Sequence, residues 1–186
     1  MDSWQKDLSA SAYDFQHIVW PVIAPALGGG NLRPVEAVET KEFQRSLDML
    51  AGIDAWQVVE NVGIRGIASR VQWGDFAWDT FTIRESRDSG ATTELEKRLA
   101  VHQGEDGWLL PAFYVHAYLT EPRGRLLSAA AIRTSDLYDY LIALGRNRWP
   151  LRRTNNARFV WVKWDSLENA GYEVIKAMAP AEVWLT

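Results

Sequence analysis

Apolar residues along this chain recur every third or fourth position in some stretches and every second position in others, and that change of period separates helices from strands. Over 8–27, Ala12, Phe15, Ile18, Val19, Val22, Ile23 and Leu27 fall at helical spacing. Ser9 or Ser11 suits the cap, and Pro21 is expected to kink or divide the segment. Gly28-Gly29-Gly30-Asn31 stops it. No strand precedes these glycines and no Lys-Ser/Thr follows, so they are read as a flexible loop and not as a Walker-type phosphate loop. A second amphipathic helix is predicted over 39–50, with Phe43, Leu47 and Leu50 as its stripe and Gly52 as its end.

Period-2 patterning then takes over. Strands are predicted over 53–59, 64–73 and 80–85, with turns at 61–63 and 74–75. In the second of them Ile67, Ser69, Val71 and Trp73 fall on one side, and Ala68, Arg70 and Gln72 on the other. After the 86–90 loop, Thr92 or Thr93 caps a helix running to His102. A strongly apolar strand follows over 111–119, with 126–132 as its candidate partner. Ser135 is expected to cap a helix over 136–144 closed by Gly145, then a strand spans 158–164 and a short helix 168–179. There is no internal repeat, low-complexity tract or linker. The expected organisation is one α/β (α+β) domain over 1–186: a mixed central sheet with its core at 36–121, an N-terminal helix at 8–27 and a C-terminal αβ extension at 126–186.

Apolar residues make up 47% of the 186, enough for a sizeable core without a metal or disulfide staple. The absence of cysteine excludes a thiol nucleophile, a cysteine zinc site and a disulfide framework. No window approaches the roughly 20 apolar residues of a membrane span. The first residues carry acids with no apolar stretch behind them, unlike a secretory signal. The expectation is a cytoplasmic protein without a membrane partner. Net charge is −4, so contact with nucleic acid would have to come from local patches; Arg146, Arg148, Arg152, Arg153 and Arg158 offer one. The ten tryptophans are read chiefly as core or interface residues, with ligand stacking as the alternative.

Asp54 stands where the second helix hands over to the first strand, and Arg70 emerges from the next strand. An acid and a base on paired strands can point into one site. Carboxylates hold hard cations, a cation near a phosphate steadies developing charge, and Glu42 or Glu39 on the preceding helix would add a carboxylate. The competing reading is an acid at a helix end and an arginine paired on the surface. Arg84, Arg87, Lys97 and Arg98 could contact phosphates near a helix start that itself favours anions, or form a solvated face. His17, His102 and His116 are far apart in the sequence, which leaves no zinc spacing.

The succession of elements over 36–121 resembles the PD-(D/E)XK nuclease superfamily, which includes restriction enzymes, Holliday-junction resolvases and many phage or repair nucleases. Leu50-Ala51-Gly52-Ile53-Asp54 is similar to its Asp element, and Ile67-Ala68-Ser69-Arg70-Val71-Gln72 to its acid-x-Lys strand. The match covers under half of the chain. It implies an αβββαβ restriction-endonuclease-like core and a magnesium-dependent phosphodiester hydrolase. Asp54 and Glu42 would then bind the metal, Gln72 would support it and Arg70 would contact phosphate. The chain departs from the pattern, since Ala68 stands at the acid position and Arg70 at the lysine position. In a frame shifted by two, Arg70 and Gln72 take those places, and neither frame gives an acid followed by lysine. Arginine is a different tool, permanently charged and planar. Either the site has migrated, with Gln72 and Glu42 helping to bind metal, or the fold persists without cleavage. The second case would be a nucleic-acid or protein binding module of a phage, plasmid or other mobile element, or of a repair system, with a homodimer among its forms. A third reading, an interaction protein unrelated to nucleic acid, follows from the acidic charge and the tryptophans.

Overall fold

A computed structural model describes residues 3–35, 52–104, 109–154 and 157–178. The predicted 39–50 helix, and Glu42 with it, lies outside the described residues. The N-terminal segment is helical throughout but changes gauge. It runs as α1 (Ser3–Asp14), a π-helical turn (Phe15–Val19), α2 (Trp20–Ile23) and a 3₁₀ turn (Ala24–Leu27). Pro21 divides the segment as expected. It has no N–H to give the preceding turn, and the widened π turn falls just before it. The three glycines that follow form a fitted turn where a flexible loop was expected. The Gln57 amide donates to the carbonyls of Leu27 at 3.0 Å and Gly29 at 2.7 Å. At Gly30, φ is +89° and a Cβ would lie 2.5 Å from the Val58 carbonyl oxygen, so any side chain there would push the turn off its neighbour.

The strands are β1 (Asn31–Pro34), β2 (Ala55–Val59), β3 (Gly63–Trp73), β4 (Thr80–Arg87), β5 (Phe113–Leu119), β6 (Leu126–Arg133), β7 (Leu151–Arg153), β8 (Ala157–Lys163) and β9 (Ile175–Met178). The later helices are α3 (Glu94–His102), α4 (Thr134–Leu144) and α5 (Trp164–Asn169). Six strands form a mixed sheet in the order β1-β2-β3-β5-β6-β9, flanked by helices. Its neighbours are antiparallel except β3 and β5, which are parallel and so need the long excursion through β4 and α3. As expected, the strand holding Val58 neighbours the one holding Ala68, and 126–132 pairs with the apolar strand.

Three expectations change. The strand predicted over 80–85 leaves the core sheet and forms a second, antiparallel sheet in the order β4-β8-β7. The helix predicted over 168–179 stops at Asn169 as α5, and after a turn at Gly171 the chain pairs with β6 as β9. Ser135 is not the cap of α4: the helix starts at Thr134, and the Ser135 hydroxyl bonds to Asp136 instead. The α3 start does match, with Thr93 and Glu96 forming a reciprocal capping box.

All seven residues of β5 are buried, because the main sheet is covered on both faces. On one face Ile67, Val115, Ala117 and Ala129 pack under Phe15, Val19, Ile23 and Leu27 of the N-terminal segment. On the other, Ala68, Tyr114, Ala130 and Ile132 meet Phe81 and Ile83 of β4, Val160 and Val162 of β8, and the apolar stripes of α3 and α4. Asp14, fully buried at the end of α1, ties the first layer down. Its carboxylate accepts from the Trp73 indole at 2.9 Å and from the Arg123 N–H at 2.9 Å.

The second layer is tied down by side chains. β4 is an edge strand, and the backbone groups that point away from β8 meet a row of residues on β5. The Tyr114 hydroxyl donates to the Thr82 carbonyl at 2.6 Å, and the Thr82 N–H donates to Nδ1 of His116 at 3.1 Å. The Tyr118 hydroxyl donates to the Thr80 carbonyl at 3.0 Å. An unpaired buried carbonyl costs roughly 1–3 kcal/mol. Tyr114→Phe is therefore expected to lose about that much stability, read as a lower urea midpoint with an unchanged slope. An unshifted midpoint would show that this contact does not hold the layers together.

Candidate nucleic-acid interface

Alternation along the strands decides what faces the space between the two sheets. On β8 Val160 and Val162 turn to the core, which leaves Phe159, Trp161 and Lys163 on the opposite side. On β4 Phe81 and Ile83 turn inward and Thr80 and Thr82 outward. On β3 the side carrying Ala68 meets the core through that residue and then opens at Arg70 and Gln72. These faces enclose a cleft of about 1060 Å³, completed by Trp78, Asp79 and the 151–154 stretch. Four cations, Arg70, Arg152, Arg153 and Lys163, line it with one carboxylate, Asp79, and Arg153 also pairs with Asp88 at 3.7 Å. This is the reverse of the balance over the whole chain.

Arg70 spans the opening, with its guanidinium 4.7 Å from the centre of the Phe159 ring. Arg84 approaches the same ring at 5.6 Å. Burial lowers the Arg84 pKa; Glu94 opposes this, while Arg87 and Arg70 add to it. Beneath Arg70 lies its register partner, the fully buried His116, stacked on Tyr118 at 4.7 Å. Burial, with the Arg70 charge beside it, holds the His116 imidazole well below its usual range, so the ring is neutral at pH 7. Its Nδ1 accepts from Thr82, which places the ring proton on Nε2. His116 Nε2, Arg70 Nε and Thr82 Oγ1 have no hydrogen-bond partner among the described residues. All three atoms are buried, His116 beneath the residues that line the cleft. Burial pushes the Tyr118 phenol up to about 12, so it remains protonated.

Asp54 comes to its place through a buried arginine. Arg98, 4% exposed on α3, donates to the Gly52 carbonyl at 2.7 Å. Burial works against its charge, but Tyr138, Tyr114 and Asp54 outweigh this and hold its pKa up. Gly52 has φ +56°, and a Cβ there would lie 2.8 Å from the Arg98 guanidinium, so the position favours glycine. Two residues on, the Asp54 N–H donates to the Ile67 carbonyl at 2.9 Å, and its carboxylate accepts from the backbone and hydroxyl of Ser69. The side chain thereby continues the ladder along β3 where β2 has run out.

The sequence-predicted residues separate accordingly. Arg70 and Gln72 share the cleft. Asp54 is exposed at the start of β2, and Tyr114 feels both it and Arg70. Arg87 pairs with Glu94 at 3.0 Å, and Lys97 lies half-buried on α3. Arg98, expected at a phosphate, is buried against Gly52. The basic cluster near the C-terminus splits: Arg158 binds Glu85, Arg148 caps the end of α4 through the Leu144 carbonyl, and Arg152 and Arg153 reach the cleft. Lys163, Phe159, Trp161 and Trp78 were not assigned to a site from the sequence. The signal for three of them was the alternation on β8 of valine with aromatic or cationic residues.

Magnesium requires several oxygen ligands. No group of three or more His, Asp or Glu side chains gathers for a metal among the described residues, and Glu42 lies outside them. No described helix is long and apolar enough to cross a membrane. Comparison with protein-family models, with curated proteins and with solved structures gives no match to this chain.

The neutral His116 has a pH signature. Its folded pKa is depressed, so its contribution to stability is complete above the unfolded value of about 6.5 and is lost as pH falls below it. His116→Gln keeps an acceptor for the Thr82 N–H and does not titrate. Between pH 6.5 and 5 the native protein should lose stability relative to this variant by up to about 1.4 kcal/mol per pH unit. Parallel stability curves would contradict a buried neutral imidazole.

Proposed function

We propose that this protein binds nucleic acid in the cleft between its two sheets, on a nuclease-like core that does not cleave. The carrying observation is the wall of four cations interleaved with Trp78, Phe159 and Trp161 in a chain of net charge −4. A uniformly basic surface would attract a polyanion from a distance. Here attraction is confined to within about one Debye length, roughly 8–10 Å at physiological salt, and the contact has to be made in the cleft itself. Arginine suits it, because a planar guanidinium can bind two phosphate oxygens at once. Aromatic faces accept any base by stacking.

Two features support the kinship to a PD-(D/E)XK core. Among the described residues the N-terminal helical segment comes before β1, and β2, β3, α3 and β5 follow in chain order with β4 set aside in the other sheet, a set of members that suits an αβββαβ core. Asp54 also stands at the start of the second of these strands and Arg70 on the third. The position of the second acid is Ala68, which has no exposure and packs in the core, and this favours the non-cleaving form.

Fluorescence anisotropy of a labelled oligonucleotide across a salt series tests the reading. Arg70→Ala and Lys163→Ala should each weaken binding and reduce the slope of log K against log salt by about 0.7–0.9 per lost phosphate contact. Salt-independent or absent binding would refute it. Incubation with linear, circular, branched and single-stranded DNA in magnesium should leave all four intact. Cutting that is abolished by Asp54→Asn would overturn the non-cleaving part.

A further inference from the structure

We infer that the cleft selects single strands, with bases stacked on its aromatic residues and phosphates on its cations; this rests on the nucleic-acid reading above. The first ground is size. About 1060 Å³ is the scale of a pocket for one drug-sized ligand, room for a few nucleotides at most. A duplex meets proteins by admitting their helices, strands or side chains into its grooves and keeps its bases stacked inside. This cleft is the opposite shape, two walls closing on a guest.

The second ground is the kind of aromatic surface on offer. Trp78 is 48% exposed although its backbone is held, its carbonyl accepting from the Ser128 hydroxyl at 2.8 Å. Its ring touches Phe76 edge-on at 5.9 Å, which leaves a face free at the cleft. About half of this indole is therefore open to solvent on a backbone that is held, beyond what its contact with Phe76 covers. Across the cleft Trp161 and Phe159 turn away from the core on β8, half-buried and rigidly placed by the register with β4. Base faces are available to such residues only when the strand is unpaired, because in a duplex each base is already stacked and paired.

The third ground is the separation of the two chemistries. Arg152 lies on β7 beside Phe159 in register, and Lys163 lies two residues beyond Trp161 on β8. Lys163 therefore follows Trp161 at strand spacing, about 6–7 Å for two residues and the order of one backbone unit of an extended strand, while Arg152 stands across from Phe159 at the inter-strand distance of about 5 Å. A chain threaded through the cleft can set a base on a ring and its phosphate on the next cation. Arg70, resting on Phe159, is placed to trade that ring for a phosphate and release the face to a base.

The test measures anisotropy of the full chain with a labelled single-stranded DNA, the same sequence as RNA, and the same sequence as a blunt duplex. Both single strands should bind, and the duplex at least tenfold more weakly. Trp78→Ala, at an exposed position that does not threaten folding, should weaken single-strand binding by about 5- to 150-fold, the range for losing one base stack, and leave duplex binding unchanged. Trp161→Phe, which keeps a ring, should bind nearly as the native protein does. Equal affinity for duplex and single strand, or loss in Trp78→Ala that is the same for both, would overturn the single-strand inference and leave nucleic-acid binding standing. Failure of all three probes to bind would overturn both.

Discussion

Tyr114, His116 and Tyr118 occupy alternate positions of one strand, and all three give their polar atoms to the backbone of another. In most sheet proteins an edge strand either meets solvent or is covered by a loop. Here the uncovered edge of β4 is laid across the face of β5, and its carbonyls and one N–H are satisfied by two phenols and an imidazole. Because β8 pairs with β4, and β7 with β8, the second sheet as a whole is hung from this row. The same row fixes what lies on either side of it. Towards α3 and α4 the two sheets share a dry core; in the other direction they diverge, and the cleft opens.

A polar joint of this kind constrains its own residues. A lone apolar contact would tolerate sliding, but three hydrogen bonds to successive backbone groups fix β4 in register and in height above the sheet. The joint also demands a neutral imidazole, since His116 must offer Nδ1 as an acceptor in a buried place beside Arg70. Arg98 is a second pin, reaching from α3 to the Gly52 carbonyl and so setting where β2 begins. Asp14 is a third, joining the first helix to the end of β3 and the turn before β6. Each pin sets at least one buried polar atom against a backbone partner, which offsets part of the cost of its burial.

What could be read in advance divides along the line between local and distant causes. The two sides of β3 were legible because a strand covered on one face by the N-terminal segment and opening on the other leaves a period-2 record in Ile67, Val71 and Arg70. The strand nature of Phe81 and Ile83 was legible in the same way. Its sheet was not, since the partner strand holding Val160 and Val162 lies far along the chain and alternation carries no address. Ile175-Lys176-Ala177-Met178 suits a helix by composition, and pairing with β6 overrode that preference. Leu151 to Arg153 is too short and too exposed to leave any pattern. For the site, Arg70 and Gln72 were read on one face correctly. Arg98 was expected outside, where arginine usually lies, and only a folded chain shows the carbonyl that justifies its burial.

The row of β5 side chains also determines how a guest can arrive. Separating the two sheets would break the bonds to Thr80 and Thr82 together and expose a shared core, which is a local unfolding event and correspondingly rare. Entry therefore falls to exposed side chains at the rim, such as Arg152 and Trp78, whose rotamers exchange in picoseconds to nanoseconds. The cleft behaves as a vessel of fixed walls with a mobile lip. For a guest of the proposed kind, occupancy would then be governed by how quickly it meets the cleft and how firmly it is held, with no slow opening step between.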